Sequence, residues 1–192
     1  ESTNTAVGLS ALINNTTGYR CTAVGNQALK SNLGGIDNTA VGQYALRANT
    51  GGHSNTAVGR WNLLGNDTGH SNTAIGAGVL VANSNGYRNT VLGYGSGGSI
   101  TSGSGNTIIG CNITGSSTLT DTVIIGAGNG EERLRITSTG NVGIGITNPG
   151  HKLEVNGSFA ATTKSFVIDH PTKEGMKLRY GSLEGPENGV YV

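Results

Sequence analysis

The chain repeats itself every seventeen residues, and this period constrains the fold more than any other feature. The pentapeptide N-T-A-V-G begins at residues 4, 38 and 55, and close variants begin at residues 21, 72, 89 and 106. A further copy, T-V-I-I-G, begins at residue 122 after a step of sixteen. A fixed period of this length is typical of repeat architectures, in which each copy is one structural unit stacked on the next.

The aligned units give the consensus N-T-A-V-G-x-x-A-L-x-x-N-x-x-G-x-x, whose positions are numbered 1 to 17. Seventeen residues are too few for two helices, and glycine recurs in every unit. The consensus therefore predicts two short strands per unit, Thr-Ala-Val and the Ala-Leu segment. We expect positive φ at the glycine of position 5, the asparagine of position 12 and the glycine of position 15.

Stacking should place identical positions above one another at about 4.8 Å. Leucine at position 9 would then form an apolar column inside the coils, and asparagine at position 1 would form an amide ladder. Both faces of the later Thr-Ala-Val strands are apolar, as in Ile108 and Ile109. One face can fill the coil, and the other needs a partner surface, which predicts an oligomer.

The predicted fold is therefore all-β, with three parts. Residues 1–126 form a β-solenoid or β-roll of about eight 17-residue coils, residues 127–163 form a small β connector, and residues 164–192 begin a further domain that is incomplete. The sequence starts at Glu1 without methionine and stops at Val192 in a strand-like segment, so we expect a fragment of a longer protein.

Composition and spacing argue against several functional classes. The 12 basic and 11 acidic residues leave no large basic surface, and no apolar run reaches membrane-span length, so neither a nucleic-acid partner nor membrane insertion is expected. Residues 93–98 spell G-x-G-x-x-G, yet no helix pattern follows, so no nucleotide cofactor is predicted. Cys21 and Cys111 lie about five coils apart, too far for a disulfide within one chain.

Aromatic and imidazole side chains recur at two positions of the repeat. Stacking should place His53 and His70, both at position 16, about 5 Å apart. Such a pair can bind a metal, but neither carboxylate nor cysteine accompanies it, and we predict no metal site. Exposed stacked rings can hold sugar rings or a protein receptor, or they can cover turns and subunit seams. The candidate receptor contacts are Tyr44 and Trp61 at position 7, and Tyr19, His53, His70 and Tyr87 at position 16.

The repeats resemble the N-S-V-A-I-G coils in the heads of trimeric autotransporter adhesins and, more closely, repeats in viral and phage tail fibres. Those heads are left-handed parallel β-rolls, so the resemblance implies an intertwined parallel homotrimer. Residues 132–137, 140–145 and 152–157 resemble a module near the C-terminal ends of tail fibres. Residues 164–171 and 183–187 resemble the start of a C-terminal tail-fibre domain.

The resemblance implies a structural, non-enzymatic segment of a bacteriophage or viral tail fibre, located in the virion and extracellular. It would form a rigid trimeric shaft or head, join other tail or virion proteins, and support attachment to a host cell-surface receptor or glycan. Two alternatives stay open: a trimeric adhesin on a bacterial surface, and an ice- or ligand-binding β-solenoid with an exposed threonine column. A depolymerase would need paired carboxylates. The repeats hold only three aspartates, Asp37, Asp67 and Asp121, and these share no column, so a depolymerase is disfavoured.

Overall fold

The computed structural model describes residues 3–160, 165–169 and 177–181, and within them the protein is all-β, without a helix. The repeats form a β-solenoid of about seven turns of roughly 17 residues, which confirms the predicted solenoid. The solenoid strands are β1 (Thr5–Val7), β2 (Thr22–Val24), β3 (Thr39–Val41), β4 (Thr56–Val58), β5 (Thr73–Ala77), β6 (Thr90–Tyr94), β7 (Thr107–Cys111) and β8 (Val123–Ala127). They are followed by β9 (Glu131–Ile136), β10 (Val142–Ile144), β11 (Leu153–Val155), β12 (Ser165–Asp169) and β13 (Lys177–Gly181).

Strands β1 to β11 form one eleven-stranded sheet whose order follows the chain. Strands β1 to β8 are parallel. From β1 to β7 neighbouring strands pair residues seventeen positions apart, as Ala23 and Ala40 do, whereas β7 and β8 pair residues sixteen positions apart. Strand β9 turns back antiparallel to β8 and β10, and β11 runs parallel to β10. The segment predicted as a connector thus extends the solenoid sheet by three strands.

The sheet belongs to a compact unit, Glu1–Asn156, and the remaining residues form a second unit, Gly157–Val192. In the second unit β12 and β13 pair antiparallel. The tail-fibre-like motif at residues 183–187 lies outside the described residues.

The predicted leucine column is confirmed, but its backbone is not a strand. Leu29, Leu46, Leu63 and Leu80 are fully buried, and each has a φ of about 50°, in the left-handed region. The Ala-Leu segment is therefore a turn, and the prediction of a second strand is wrong. Its backbone groups bond to the next coil instead, as when Leu29 N donates to Ala45 O over 3.0 Å. These bonds and the burial of the side chain offset a left-handed backbone that disfavours leucine.

Two asparagine ladders run through the solenoid. At position 1 the ladder predicted from sequence is confirmed, since Asn55 N and Nδ2 donate to Asn38 Oδ1 over 3.0 and 3.2 Å. Cys21 replaces asparagine in this ladder and is buried. At position 12 a second ladder, which was not predicted, links Asn49 Nδ2 to Asn32 Oδ1 over 2.8 Å. Both ladders lie in the interior, where unpaired amides would be costly.

The expected positive φ values at positions 12 and 15 are wrong. The expectation for the glycine of position 5 is confirmed, as in Gly42 (131°), and positive φ also occurs at positions 7, 9 and 17, for example Tyr44 (62°), Leu46 (50°) and Ser54 (57°). Glycine at position 15 is needed for space: a Cβ atom on Gly52 would overlap the asparagine ladder and the carbonyl oxygen of the next coil. The ladder and this glycine therefore depend on one another.

Candidate functional site

The position-16 side chains stack, as the repeat spacing predicted. The ring centres of His53 and His70 lie 4.7 Å apart with planes 5° from parallel, and those of His70 and Tyr87 lie 5.0 Å apart at 14°. These three rings form what we call the ring stack. His53 Nδ1 lies 3.3 Å from Oγ of Ser54, and His70 Nδ1 makes the equivalent 3.4 Å contact, so the serine at position 17 orients each imidazole.

The ring stack is poorly arranged for a metal ion. Two imidazole nitrogens on one tetrahedral zinc lie roughly 3.4 Å apart, because each Zn–N bond is about 2.05 Å. Face-to-face rings 4.7 Å apart hold equivalent nitrogens farther apart than that. Within residues 3–160, no three His, Cys, Asp or Glu side chains converge as metal ligands. The pKa of His70 is lowered by burial, and further by His53 and Arg88, which opposes a second positive charge in the stack.

Tyr19 shares position 16 but lies apart from the ring stack, because Ile36 intervenes. The guanidinium group of Arg20 lies over the Tyr19 ring, with 4.6 Å between the guanidinium carbon and the ring centre. Arg20 Nε and Nη2 donate to the two carboxylate oxygens of Asp37 over 2.5 and 2.7 Å. This bidentate pair lowers the pKa of Asp37 and raises that of Arg20, so the charge beside Tyr19 is neutralised.

The position-7 candidates lie on a different part of the coil, just after the strand. Trp61 is 39% exposed and Tyr44 is half-buried. The guanidinium carbon of Arg60 lies 3.7 Å from the centre of the Trp61 ring, and that of Arg47 lies 5.6 Å from Tyr44. Both distances fall within the range of cation–π contacts. The six candidates therefore occupy two separate columns, and the structure does not gather them into one site.

Sequence reasoning missed the role of arginine on these columns. The repeats contain four arginines, and each lies over a candidate ring: Arg20 over Tyr19, Arg47 over Tyr44, Arg60 over Trp61 and Arg88 over Tyr87. Three of the four arginines are adjacent in sequence to the aromatic residue that they contact, so these three contacts could have been predicted from the sequence. The three pairs other than Arg20 and Tyr19 give the aromatic columns flat surfaces with positive charge, suited to planar or anionic partners.

The outer face of the sheet carries a continuous aliphatic line, which we call the apolar strip. It takes one residue from each of eleven strands, and every neighbouring pair is in register. Several members are well exposed, such as Val7 at 56% and Ile109 at 44%. The strip consists of Val7, Val24, Val41, Val58, Ile75, Leu92, Ile109, Ile125, Leu134, Ile144 and Val155.

A second column runs beside the apolar strip on the same face, two residues earlier in each solenoid strand. From β1 to β7 it is threonine throughout, and these threonines are half-buried or exposed. From β8 to β11 it becomes aliphatic, with Val123, Ile136, Val142 and Leu153 in register. The outward face is thus uncharged in both columns along its whole length.

Comparison with protein-family models, with curated proteins and with solved structures gives no match to this chain. In the part of the chain that the structure describes, no helix is long and apolar enough to cross a membrane. The features of the molecule that bear on its function are the repeat, the apolar strip and the two aromatic columns.

Proposed function

We propose that this chain is a structural segment of a bacteriophage or viral tail fibre, in which the solenoid coils assemble as a parallel homotrimer. The apolar strip is the observation that carries the proposal. In this proposal the turn that begins at β8 counts as the eighth coil. The segment would be a rigid shaft or head in the virion, outside the host cell, joined to other tail or virion proteins.

The apolar strip is too long to be ordinary surface. Ten intervals of about 4.8 Å make it about 48 Å long, and soluble monomers rarely leave contiguous aliphatic surface of that extent in water. Each buried square ångström of apolar surface contributes about 25 cal/mol, so covering the strip is strongly favourable. Because both columns on this face lack charge, a second copy can lie against it without burying an unpaired ion.

A parallel, in-register arrangement sets each coil beside the same coil of its neighbour. The strip then forms a seam along the whole sheet, which fits a rod in which length comes from coil stacking. Three-fold symmetry is the part of the proposal taken from the resemblance to fibre and adhesin heads. In such a trimer the aromatic columns remain the candidate contacts with a host receptor or glycan, and several copies would add avidity.

The proposed role is mechanical and non-enzymatic. The acidic side chains of the solenoid are few, and two of them already have partners: Asp37 pairs with Arg20, and Asp67 accepts a hydrogen bond from the Thr50 hydroxyl. Engaged, isolated carboxylates offer no acid–base pair across a groove for glycosidic cleavage.

The test is the solution mass of residues 1–192 by light scattering, with circular dichroism to verify folding. We expect a trimer near three times 19.4 kDa. The variant Ile75→Lys would place three uncompensated charges in the seam and should dissociate it, whereas Leu33→Lys, at an exposed leucine outside the strip, should leave the trimer intact. Should Ile75→Lys fail to fold, Ile75→Thr should still lower the dissociation temperature more than Leu33→Thr. A folded wild-type monomer would overturn the proposal.

A second candidate function is an ice-binding solenoid, favoured by the threonine column beside the apolar strip. Seven threonines stand one coil apart on this face, as such a surface requires. The replacement of threonine by aliphatic residues in β8 to β11 favours a protein seam instead. A monomer that shows thermal hysteresis would move this candidate to first place.

A bacterial surface adhesin would use the same trimer, and labelling of cells rather than virions by an antibody would identify it.

A further inference from the structure

The column at position 7 is interrupted by two adjacent glycines. Trp61, Gly78, Gly95 and Asn112 occupy this position in four successive coils, all with φ between 55° and 68°. The backbone continues without a break, since Gly78 N and Gly95 N each donate to the preceding coil over 2.9 Å. The gap therefore comes from two missing side chains, and at about 4.8 Å per coil it separates Trp61 from Asn112 by about 14 Å.

The gap forms a small notch with aromatic walls. It has a volume of about 220 Å³ and is lined by Arg60, Trp61, Ala77, Gly78, Tyr94, Gly95 and Asn112. Trp61 is 39% exposed and Tyr94 is 63% exposed, so both rings offer apolar surface to an occupant. The volume is below that of sites for drug-sized ligands, which limits the occupant to one or two rings.

The side-chain amide of Asn112 is oriented by a hydrogen bond. Asn112 Nδ2 donates to Asn129 Oδ1 over 2.9 Å, which turns Asn112 Oδ1 away from that bond. A Cβ atom on Gly95 would lie 2.5 Å from Asn112 Oδ1, so this acceptor faces the gap. It can receive a hydrogen bond from a hydroxyl group held between the walls.

The charge of the notch is positive. The guanidinium carbon of Arg60 lies 3.7 Å from the centre of the Trp61 ring, and no hydrogen bond or ion pair within the described residues engages its N–H groups, so they can bind a carboxylate. None of the seven lining residues carries a negative charge. A ring with an apolar face, hydroxyl groups and one carboxylate matches all of these features.

We propose that the notch binds an acidic saccharide of one or two rings, with its carboxylate on Arg60, its C–H face on the aromatic walls and a hydroxyl on Asn112 Oδ1. This inference deepens the proposed attachment function and rests on it for its biological meaning. It does not depend on the trimer, since every lining residue belongs to one chain.

The test uses methyl glycosides of glucuronic, galacturonic and N-acetylneuraminic acid, each beside its carboxyl-reduced counterpart. Trp61 is the single tryptophan of the chain, so its emission reports on the notch, and saturation-transfer NMR detects binding that leaves emission unchanged. We expect at least one acidic glycoside to bind about tenfold more tightly than its reduced counterpart, as a charge-assisted bond at a half-exposed site provides.

Three variants locate the effect. Gly78→Gln should lower the affinity at least tenfold by filling the notch, and its backbone should tolerate the change because Gln27 occupies the same position with φ 56°. Arg60→Gln should abolish the preference for the acidic sugar. Arg47→Gln removes another ring-contacting arginine, outside the notch, and should change neither the affinity nor the preference for the acidic sugar.

Absence of binding by all three acidic glycosides, equal binding of the reduced forms, or undiminished binding by Gly78→Gln would each overturn the inference. Light scattering on the same samples separates this result from the fibre proposal. A trimer without sugar binding contradicts only the notch, and a sugar-binding monomer contradicts only the fibre.

Discussion

The asparagine ladder at position 12 has a direction, and this direction predicts unequal costs for the same substitution. Asn66 Nδ2 donates to Asn49 Oδ1 over 2.7 Å and to Gly69 O over 3.0 Å, and Asn66 Oδ1 accepts from Asn83 Nδ2 over 2.7 Å. Asn83 is the last member, because the next coil has Ile100 at this position. Asn83 Oδ1 consequently has no partner among the described residues although it is buried.

The two alanine variants therefore differ in the hydrogen bonds and the unpaired oxygen that they remove. Asn66→Ala removes three hydrogen bonds, whereas Asn83→Ala removes two and also eliminates a buried oxygen that is already unsatisfied. Each lost hydrogen bond costs about 1 kcal/mol, and eliminating the unsatisfied oxygen regains about 1 kcal/mol. The net cost is therefore about 3 kcal/mol for Asn66→Ala and about 1 kcal/mol for Asn83→Ala. Both sites lose the same side chain from a fully buried position, so the cavity contributions should largely cancel and leave a difference of about 2 kcal/mol.

Guanidinium unfolding followed by circular dichroism measures this difference, with light scattering to verify that both variants keep the wild-type assembly. Asn66→Ala should unfold at a lower guanidinium concentration than Asn83→Ala, and the dependence of the unfolding free energy on guanidinium should be the same for both variants. Equal midpoints, or a lower midpoint for Asn83→Ala, would refute the reasoning, because the ladder would then not be acting as a directed chain of bonds.

Two other perturbations test the interior and the ring stack. Gly52→Ala should destabilise the fold by about 3 kcal/mol, because the new Cβ atom overlaps Asn49 Oδ1. Gly51→Ala, whose Cβ atom enters open space, should be nearly neutral in the same unfolding assay. Equal effects of the two variants would contradict the steric argument. The pKa of His70 is lowered in the folded chain, so below about pH 7 this imidazole is protonated more readily in the unfolded chain than in the folded one. Stability should then decrease as the pH falls from 7.5 towards 5, and His70→Tyr should flatten this dependence; an equally steep profile in the variant would exclude the ring stack as its cause.

The sequence allowed the fold to be predicted wherever a constant residue has one physical explanation. A seventeen-residue period with Thr-Ala-Val in each unit is satisfied by in-register stacking, and the leucine column and the position-1 ladder follow from it. The spacing of His53 and His70 was predictable for the same reason, since identical positions must lie one coil apart.

The errors arose where local preference and tertiary context disagree. Leucine rarely adopts positive φ, so the left-handed turn at position 9 could not be read from propensity. Glycine at position 15 suggested a flexible turn, but it is constant because the asparagine ladder leaves no room for a Cβ atom. Its role is defined by residues in the neighbouring coils, which single-unit reasoning does not take into account.

Several inward positions of the repeat are nearly constant, whereas several outward positions vary from coil to coil. Positions 1, 3, 9, 12 and 15 point inward, and their near-constancy is explained by ladders and packing. Positions 6, 7, 16 and 17 point outward and vary from coil to coil, although the backbone beneath them barely changes. A uniform rod would need no such variation. In the proposed fibre, the rings paired with arginine and the two glycines that open the notch beside Trp61 would serve contacts with a partner, and the apolar strip would serve assembly.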